Sequence, residues 1–292
     1  MAPYINSMNE LTLADRTRVL KALVEGNSMR ATSRITGAAR NTVADLLKVV
    51  GAHCKNHHDR FVRGVSATRV QADEAWAFCY AKARNVSPAM PAGSGDVWTW
   101  AALDQDSKLA IAYRVGERTG EVAHAFMADL AGRLTGRCQL STDALNWYPP
   151  AVESAFGWNG CDFAQIQKVF GPSVDGDKTH RRYSQAYVAA ARKVWVMGQP
   201  AEADVCTSHV ERSHLTLRMQ SRRYTRLTNA FSKRVEFHLY ATALHFEHYN
   251  WCRPHSTLTK QRGGERTTPA MAAGLADRVW TLTDVLDLLH GD

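Results

Sequence analysis

The spacing of apolar residues changes character at about residue 69, and this change constrains the fold more than any other feature of the chain. Before it, apolar positions recur at helical intervals. Leu13, Val19, Leu20, Leu23 and Val24 share one face of a helix from about Thr12 to Glu25. Gly26-Asn27 stops it, and Ser28 is a suitable N-cap for a second helix holding Met29, Thr32 and Ile35. Gly37 supplies a tight turn. A third helix then presents Val43, Leu46, Leu47 and Val50 inward and Arg40, Asn41, Asp45 and Lys48 outward. Helix, glycine turn, helix is the pattern that lays its second helix in the major groove of DNA. Arg40 can pair bidentately with guanine and Asn41 with adenine. A plain three-helix bundle with a solvated face shares the same spacing.

After residue 69 the pattern alternates between strands and helices. Strands are expected over 69–78, 97–103 and 109–115, with Asp104-Gln105-Asp106-Ser107 as a hairpin turn. Trp98 and Trp100 share a face and read as core. Gly120 to Leu134 reads as an amphipathic helix, followed by a strand ending at Asp143 and a weaker one near 162–169. This order predicts an α/β layer fold, with ligand chemistry at strand ends. Residues 171–206 look like an insertion, partly helical at 184–194. Helices are expected around Glu211 and from about Asn229 to Tyr249, with a short one in the final stretch. The domain division expected is therefore 1–50, a linker at 51–68, an α/β domain at 69–260 and a tail at 261–292. In the linker, Cys54, His57 and His58 lack a second ligand pair at zinc-finger spacing.

Charge narrows the class of partner. The net charge of +8 is unevenly spread. Residues 1–66 carry ten Lys/Arg against five Asp/Glu, and residues 207–238 carry seven against two. Two basic clusters of this kind favour a polyanionic partner. No apolar run has the length of a membrane span, and the N-terminus lacks signal-peptide character. Six scattered cysteines without a CxxC pair read as reduced, mostly buried thiols of a cytoplasmic protein.

Three carboxylates stand out against this background. Asp73 lies within one strand, Asp143 ends another, and Glu211 lies on a helix. Converged acidic oxygens suit a hard divalent cation, and paired cations activate phosphodiester chemistry. Glu74 rivals Asp73, since adjacent strand residues point to opposite faces. His214, Arg218 and Arg222 follow Glu211 at i+3, i+7 and i+11, which on one continuous helix places a basic stripe beside the acid.

Four motifs follow in order: Gln71-Ala72-Asp73-Glu74-Ala75-Trp76, Gly95-Asp96-Val97-Trp98-Thr99-Trp100, Leu140-Ser141-Thr142-Asp143 and Ser208-His209-Val210-Glu211-Arg212. Together they resemble the IS1-type insertion-sequence transposases. Arg223 to Lys233 and Tyr249-Asn250-Trp251-Cys252-Arg253-Pro254-His255 continue the likeness, which runs from Gly26 to Gly274. After Asp143 the family has Gly and a downstream Tyr, where this chain reads Ala144-Leu145-Asn146-Trp147-Tyr148. The resemblance implies an RNase H-like mixed sheet flanked by helices, preceded by an all-α helix-turn-helix domain. It implies a DDE-class enzyme with Asp73, Asp143 and Glu211 as acidic triad and metal ligands, using Mg²⁺ with Mn²⁺ as substitute. The implied partners are double-stranded DNA, both terminal inverted repeats and target, and further copies of the chain in a synaptic complex. The implied setting is a bacterial cytoplasm, in association with the nucleoid. Arg40, Asn41, Lys48, His214, Arg218, Arg222 and Arg223 are the expected DNA contacts. A hydrolytic nuclease of the same fold and a catalytically inactive DNA-binding regulator are the alternatives.

Overall fold

Thr12 and Ser28 accept hydrogen bonds from the backbone N–H groups of Asp15 and Ala31, both at 3.1 Å, and so start α1 (Leu13–Val24) and α2 (Met29–Thr36). Gly37 ends α2 in the left-handed region, φ 76°, where a side chain would be strained. α3 follows as Arg40–Phe61. The computed structural model describes residues 11–170, 188–225 and 227–290. Its contacts divide the chain into two units. One comprises Met1–Val62, Trp76–Trp98 and His214–Asp292; the other comprises Arg63–Ala75 and Thr99–Ser213.

In the first unit, Val19, Ala38 and Val43 form a buried cluster, with Leu11, Leu23, Met29 and Leu46 packed against it. The boundary expected at residue 50 falls inside α3. Residues 51–61 are helix, not linker, and their buried face carries Cys54, His57 and His58. Polar residue types hid that continuation, because the stripe that packs is not aliphatic. α3 packs along α7 (Val235–Glu247), which begins six residues later than the spacing suggested. Gly51 permits the approach: a Cβ there would lie 2.7 Å from the Tyr240 backbone. α7 passes into a π-helical turn, His248–Cys252. The C-terminal part holds α8 (Ser256–Gln261), α9 (Pro269–Ala272) and α10 (Leu282–Asp287), the last opened by a Thr281–Asp284 capping box and packed on α1.

The second unit holds most of a six-stranded mixed sheet. Its strands are β1 (Arg69–Cys79), β2 (Gly95–Asp104), β3 (Ala110–Gly116), β4 (Cys138–Asp143), β5 (Cys161–Phe170) and β6 (Val188–Met197), in the order β3-β2-β1-β4-β5-β6. β1 and β5 flank β4 in parallel, and β6 runs antiparallel to β5. Asp104 and its neighbours make the expected turn into β3, with Asp104 accepting from the Ser107 N–H at 2.9 Å. α4 (Gly120–Ala131) and α5 (Tyr148–Gly160) pack together. Trp100 is fully buried beside Phe126 and Tyr148, ring centroids 5.9 and 5.6 Å away, as its place in the apolar run suggested. Residues 188–194, expected as part of a helix, pair with β5 instead: Val194, Lys193 and Arg192 lie opposite Gln165, Ile166 and Gln167. The rest of that segment, 171–187, lies outside the described residues, as does Arg226.

α6 (Ser208–Gln220) carries Glu211. All six cysteines are free thiols, and Cys54, Cys79, Cys138 and Cys161 are buried. Among the described residues, no helix is long and apolar enough to cross a membrane.

Candidate metal centre

The β1–β4 ladder runs from Arg69↔Gln139 to Ala72↔Thr142 and stops there. The next residue on each strand is Asp73 and Asp143. Parallel pairing thus delivers two carboxylates side by side at the carboxyl end of β4, the place where sheets of this kind present ligand chemistry. Asp143 is fixed by its own turn, with the Leu145 N–H donating to its Oδ1 at 3.0 Å.

Glu74 joins them. One carboxylate oxygen each from Asp73, Glu74 and Asp143 lies within 4.8 Å of the others, and among the described residues this is the one group of metal-ligand type. Strict alternation would send Glu74 to the opposite face from Asp73. β1 runs on as strand to Cys79, so it is the contact of Glu74 with Arg118 and the gathering of the three carboxylates that show where its side chain lies. Sequence periodicity posed Asp73 and Glu74 as rivals; the structure brings both into one cluster.

Glu211 stands outside that group. Its carboxylate takes a charge-assisted hydrogen bond from Lys168 on β5, and the Thr207 hydroxyl donates to Oε1 at 2.8 Å. Lys168 is also close enough to favour the charged form of Asp143. Lys168 is thus paired with the expected third acid and is felt at Asp143. The start of α6 is tied back to β1: Gln71, fully buried, accepts through Oε1 from the N–H groups of His209 and Val210 at 2.9 and 3.1 Å. The helix bearing Glu211 is thus anchored two residues from Asp73.

Electrostatics show crowding of negative charge. Burial, then the charges of Asp143 and Asp73, push Glu74 up to about 7, with the Tyr148 phenol and Arg118 acting in the opposite direction. Asp143 is raised by burial and by Asp73, opposed by the Leu145 N–H, Arg118 and Lys168. Tyr148 is pushed well above the ordinary phenol range, chiefly by burial and by the Glu74 charge. Arg118 is the main counter-charge, with Nε donating to Glu74 Oε2 at 3.1 Å and a terminal nitrogen 3.7 Å from Asp143 Oδ2. The donor set fits a hard divalent cation: every ligand atom is a carboxylate oxygen, and the three gather within 4.8 Å of one another.

Arg118, Lys168 and Tyr148 were missed by sequence reasoning. Arg118 precedes the N-cap Thr119 in a loop, Lys168 lies on a weakly patterned strand, and neither position carries a periodic signal. Tyr148 had a signal, as the tyrosine downstream of Asp143. Of the expected DNA contacts, Arg40, Asn41 and Lys48 are exposed and Arg218 is half-buried. His214 is buried, at 2% exposure, and so does not face solvent as a phosphate contact. Arg222 is exposed but lies past the end of α6 in a 3₁₀ turn, which breaks the stripe expected to run from Glu211. Arg223 turns inward, donating to the Ser232 hydroxyl at 2.9 Å.

No family model matches the chain, and no curated protein matches it. Among solved structures, a pre-cleavage Mos1 transpososome aligns with 56% of this chain and 61% of its own, at 13% identity and a TM-score of 0.22. A piggyBac transposase synaptic complex with hairpin DNA aligns with 96% and 71%, at 10% identity and a TM-score of 0.39. Likeness at this level carries no argument about fold or activity.

Proposed function

We propose that the chain is a DNA transposase of the DDE class, an RNase H-like polynucleotidyl transferase of the IS1 type with an N-terminal helix-turn-helix. The observation that carries the reading is the meeting of Asp73 and Asp143 at the end of the β1–β4 ladder, with donor oxygens suited to a divalent cation. Asp73 and Asp143 are the assigned metal ligands, and Glu211 is the third acid, which joins them once its contact with Lys168 is released. A bound Mg²⁺ or Mn²⁺ would neutralise charge on the phosphodiester and favour the ionised form of the attacking oxygen. Arg118 holds Glu74 in place. Lys168 orients Glu211 through its hydrogen bond, and Gln71 fixes the helix that carries it. The exposed Arg40, Asn41 and Lys48 on α3 support recognition of element ends, and the enzyme is proposed to act as a multimer that joins two ends to a target.

The test is a strand-transfer assay with end-bearing DNA, a target plasmid and Mg²⁺. Asp143→Asn should abolish joined products while leaving end binding intact, and undiminished joining by that variant would overturn the assignment. Nicks without joining mean a hydrolytic nuclease. Site binding with no cleavage in either Mg²⁺ or Mn²⁺ means a regulator.

A further inference from the structure

We infer that the first unit holds a second nucleic-acid site, one that takes an unpaired stretch of DNA by gripping its phosphates and stacking a base on Tyr80. The inference rests on the reading of the chain as a DNA-processing protein, but not on its catalytic acids.

Three observations within that unit carry it. The first is a cavity of about 1030 Å³ between α2–α3 on one side and residues 220–245 on the other. Among the described residues seven Arg or Lys line it and no Asp or Glu does. Arg30, Arg34 and Arg40 come from one wall, Arg222, Lys233 and Arg234 from the other, and all six are exposed. A concave surface lined by one sign of charge focuses its field on an anion. Solvated faces ordinarily mix both signs, so the absence of acids from the lining marks a polyanion's seat.

The second observation is an aromatic group continuous with this lining. Phe231 belongs to the cavity wall and packs on Phe78 at 4.9 Å between centroids, and Phe78 meets Trp76 at 5.8 Å. Lys233, also in the wall, lies 4.0 Å from the Phe231 centroid and 5.5 Å from that of Tyr80. Lysines interleaved with rings are how proteins hold single strands, with bases on the rings and phosphates on the cations.

The third is the backbone of Tyr80, whose φ is 62°, an uncommon conformation for a residue with a large side chain. The Tyr80 N–H donates to the Ser232 carbonyl at 2.7 Å, which holds the turn, and the residue is 40% exposed. A large ring that stays partly exposed on a strained backbone is available to a ligand, and such strain is retained where a site uses it. A paired duplex hides the faces of its bases, so the ring selects unpaired DNA.

The test is fluorescence anisotropy with the full chain in EDTA, using a single-stranded oligothymidine, an abasic strand of equal length and a blunt duplex. The wild type should bind the base-bearing strand roughly tenfold more tightly than the abasic one. Tyr80→Asn, which tolerates positive φ but has no ring, should bring that ratio close to one, and Tyr80→Phe should restore it. Arg222→Ala combined with Arg234→Ala should weaken both strands alike and flatten the salt slope by roughly 0.7 per lost phosphate contact. Equal binding of the two strands by wild type, an unchanged ratio in Tyr80→Asn, or a loss of duplex binding in Tyr80→Asn as large as that of the base-bearing strand would overturn the inference. Loss of strand transfer with the ratio intact sinks only the catalytic reading; a ratio of one with strand transfer intact sinks only this site.

Discussion

Replacing Glu74 with Gln should make the metal-free protein more stable, and by an amount that grows with pH. The ordinary value of the carboxyl is 4.5, and in the fold it is pushed up to about 7, chiefly by burial. Below 4.5 the group is protonated both folded and unfolded and contributes nothing to the pH dependence. Between 4.5 and 7 the unfolded chain releases the proton while the fold retains it, so rising pH favours unfolding by at most about 1.4 kcal/mol per unit. Above 7 the penalty levels off, with a ceiling of about 3 kcal/mol. Gln does not titrate and escapes this penalty. The attraction of Arg118 for the charged form is already contained in that shift, so the gain at high pH is at most about 3 kcal/mol. Urea unfolding of both proteins in EDTA, at intervals from about pH 5 to about pH 8.5, measures the difference directly. A stability difference that stays flat across the series, or one that shrinks as pH rises, would refute the electrostatic account of the cluster. Added Mg²⁺ should stabilise the wild type most at the alkaline end, where the crowded carboxylates gain most from a cation.

Lys168→Met should tighten Mn²⁺ binding several-fold in calorimetry, since a cation that lies near both Asp143 and Glu211 is removed; unchanged or weaker binding would show that Lys168 does not oppose the metal. Gln71→Leu should cost about 1–3 kcal/mol in thermal unfolding, because it leaves the N–H groups of His209 and Val210 without their acceptor. Gln71→Glu keeps that oxygen and should retain more strand transfer than Gln71→Leu. Gly51→Ala should lower stability by about 1–3 kcal/mol, since the new Cβ meets the Tyr240 side chain at 2.5 Å and its backbone at 2.7 Å.

Where local physics decides structure, the sequence was legible. Ser28 and Gly37 bound α2 because a cap hydroxyl and a residue free to adopt positive φ act within four residues of chain. β4 was legible to its last residue because Asp143 ends an apolar run and turns on its own side chain. Errors arose where long-range packing decides. Residues 51–61 are polar by type, yet Cys54, His57 and His58 are buried, and no local rule assigns them that environment. Residues 188–194 have helix-compatible composition (Ala-rich), yet β5 offers an edge and they pair with it. The same limit applies at the site. Alternation along β1 separates Asp73 from Glu74, and only the three-dimensional arrangement shows that both carboxylates gather beside Asp143.

That gathering raises the question of how the fold holds so many acids together without a metal, and the structure supplies its own counter-charges. Arg118 contacts Glu74 and approaches Asp143; Lys168 contacts Glu211 and is felt at Asp143. Each cation therefore serves two acids, and each is one that a divalent ion would compete with. The two are not equivalent. Glu74 is almost wholly buried, so Arg118 acts where solvent screens least and is harder to displace. Lys168 and Glu211 have side chains 32% and 42% exposed, a setting in which an ion pair contributes little and opens readily. The metal-free cluster is thus held firmly on its Glu74 side and weakly on its Glu211 side. On the proposed reading, recruitment of Glu211 to a cation on Asp73 and Asp143 would require the weaker of the two contacts to break, while Gln71 holds the start of α6 to β1.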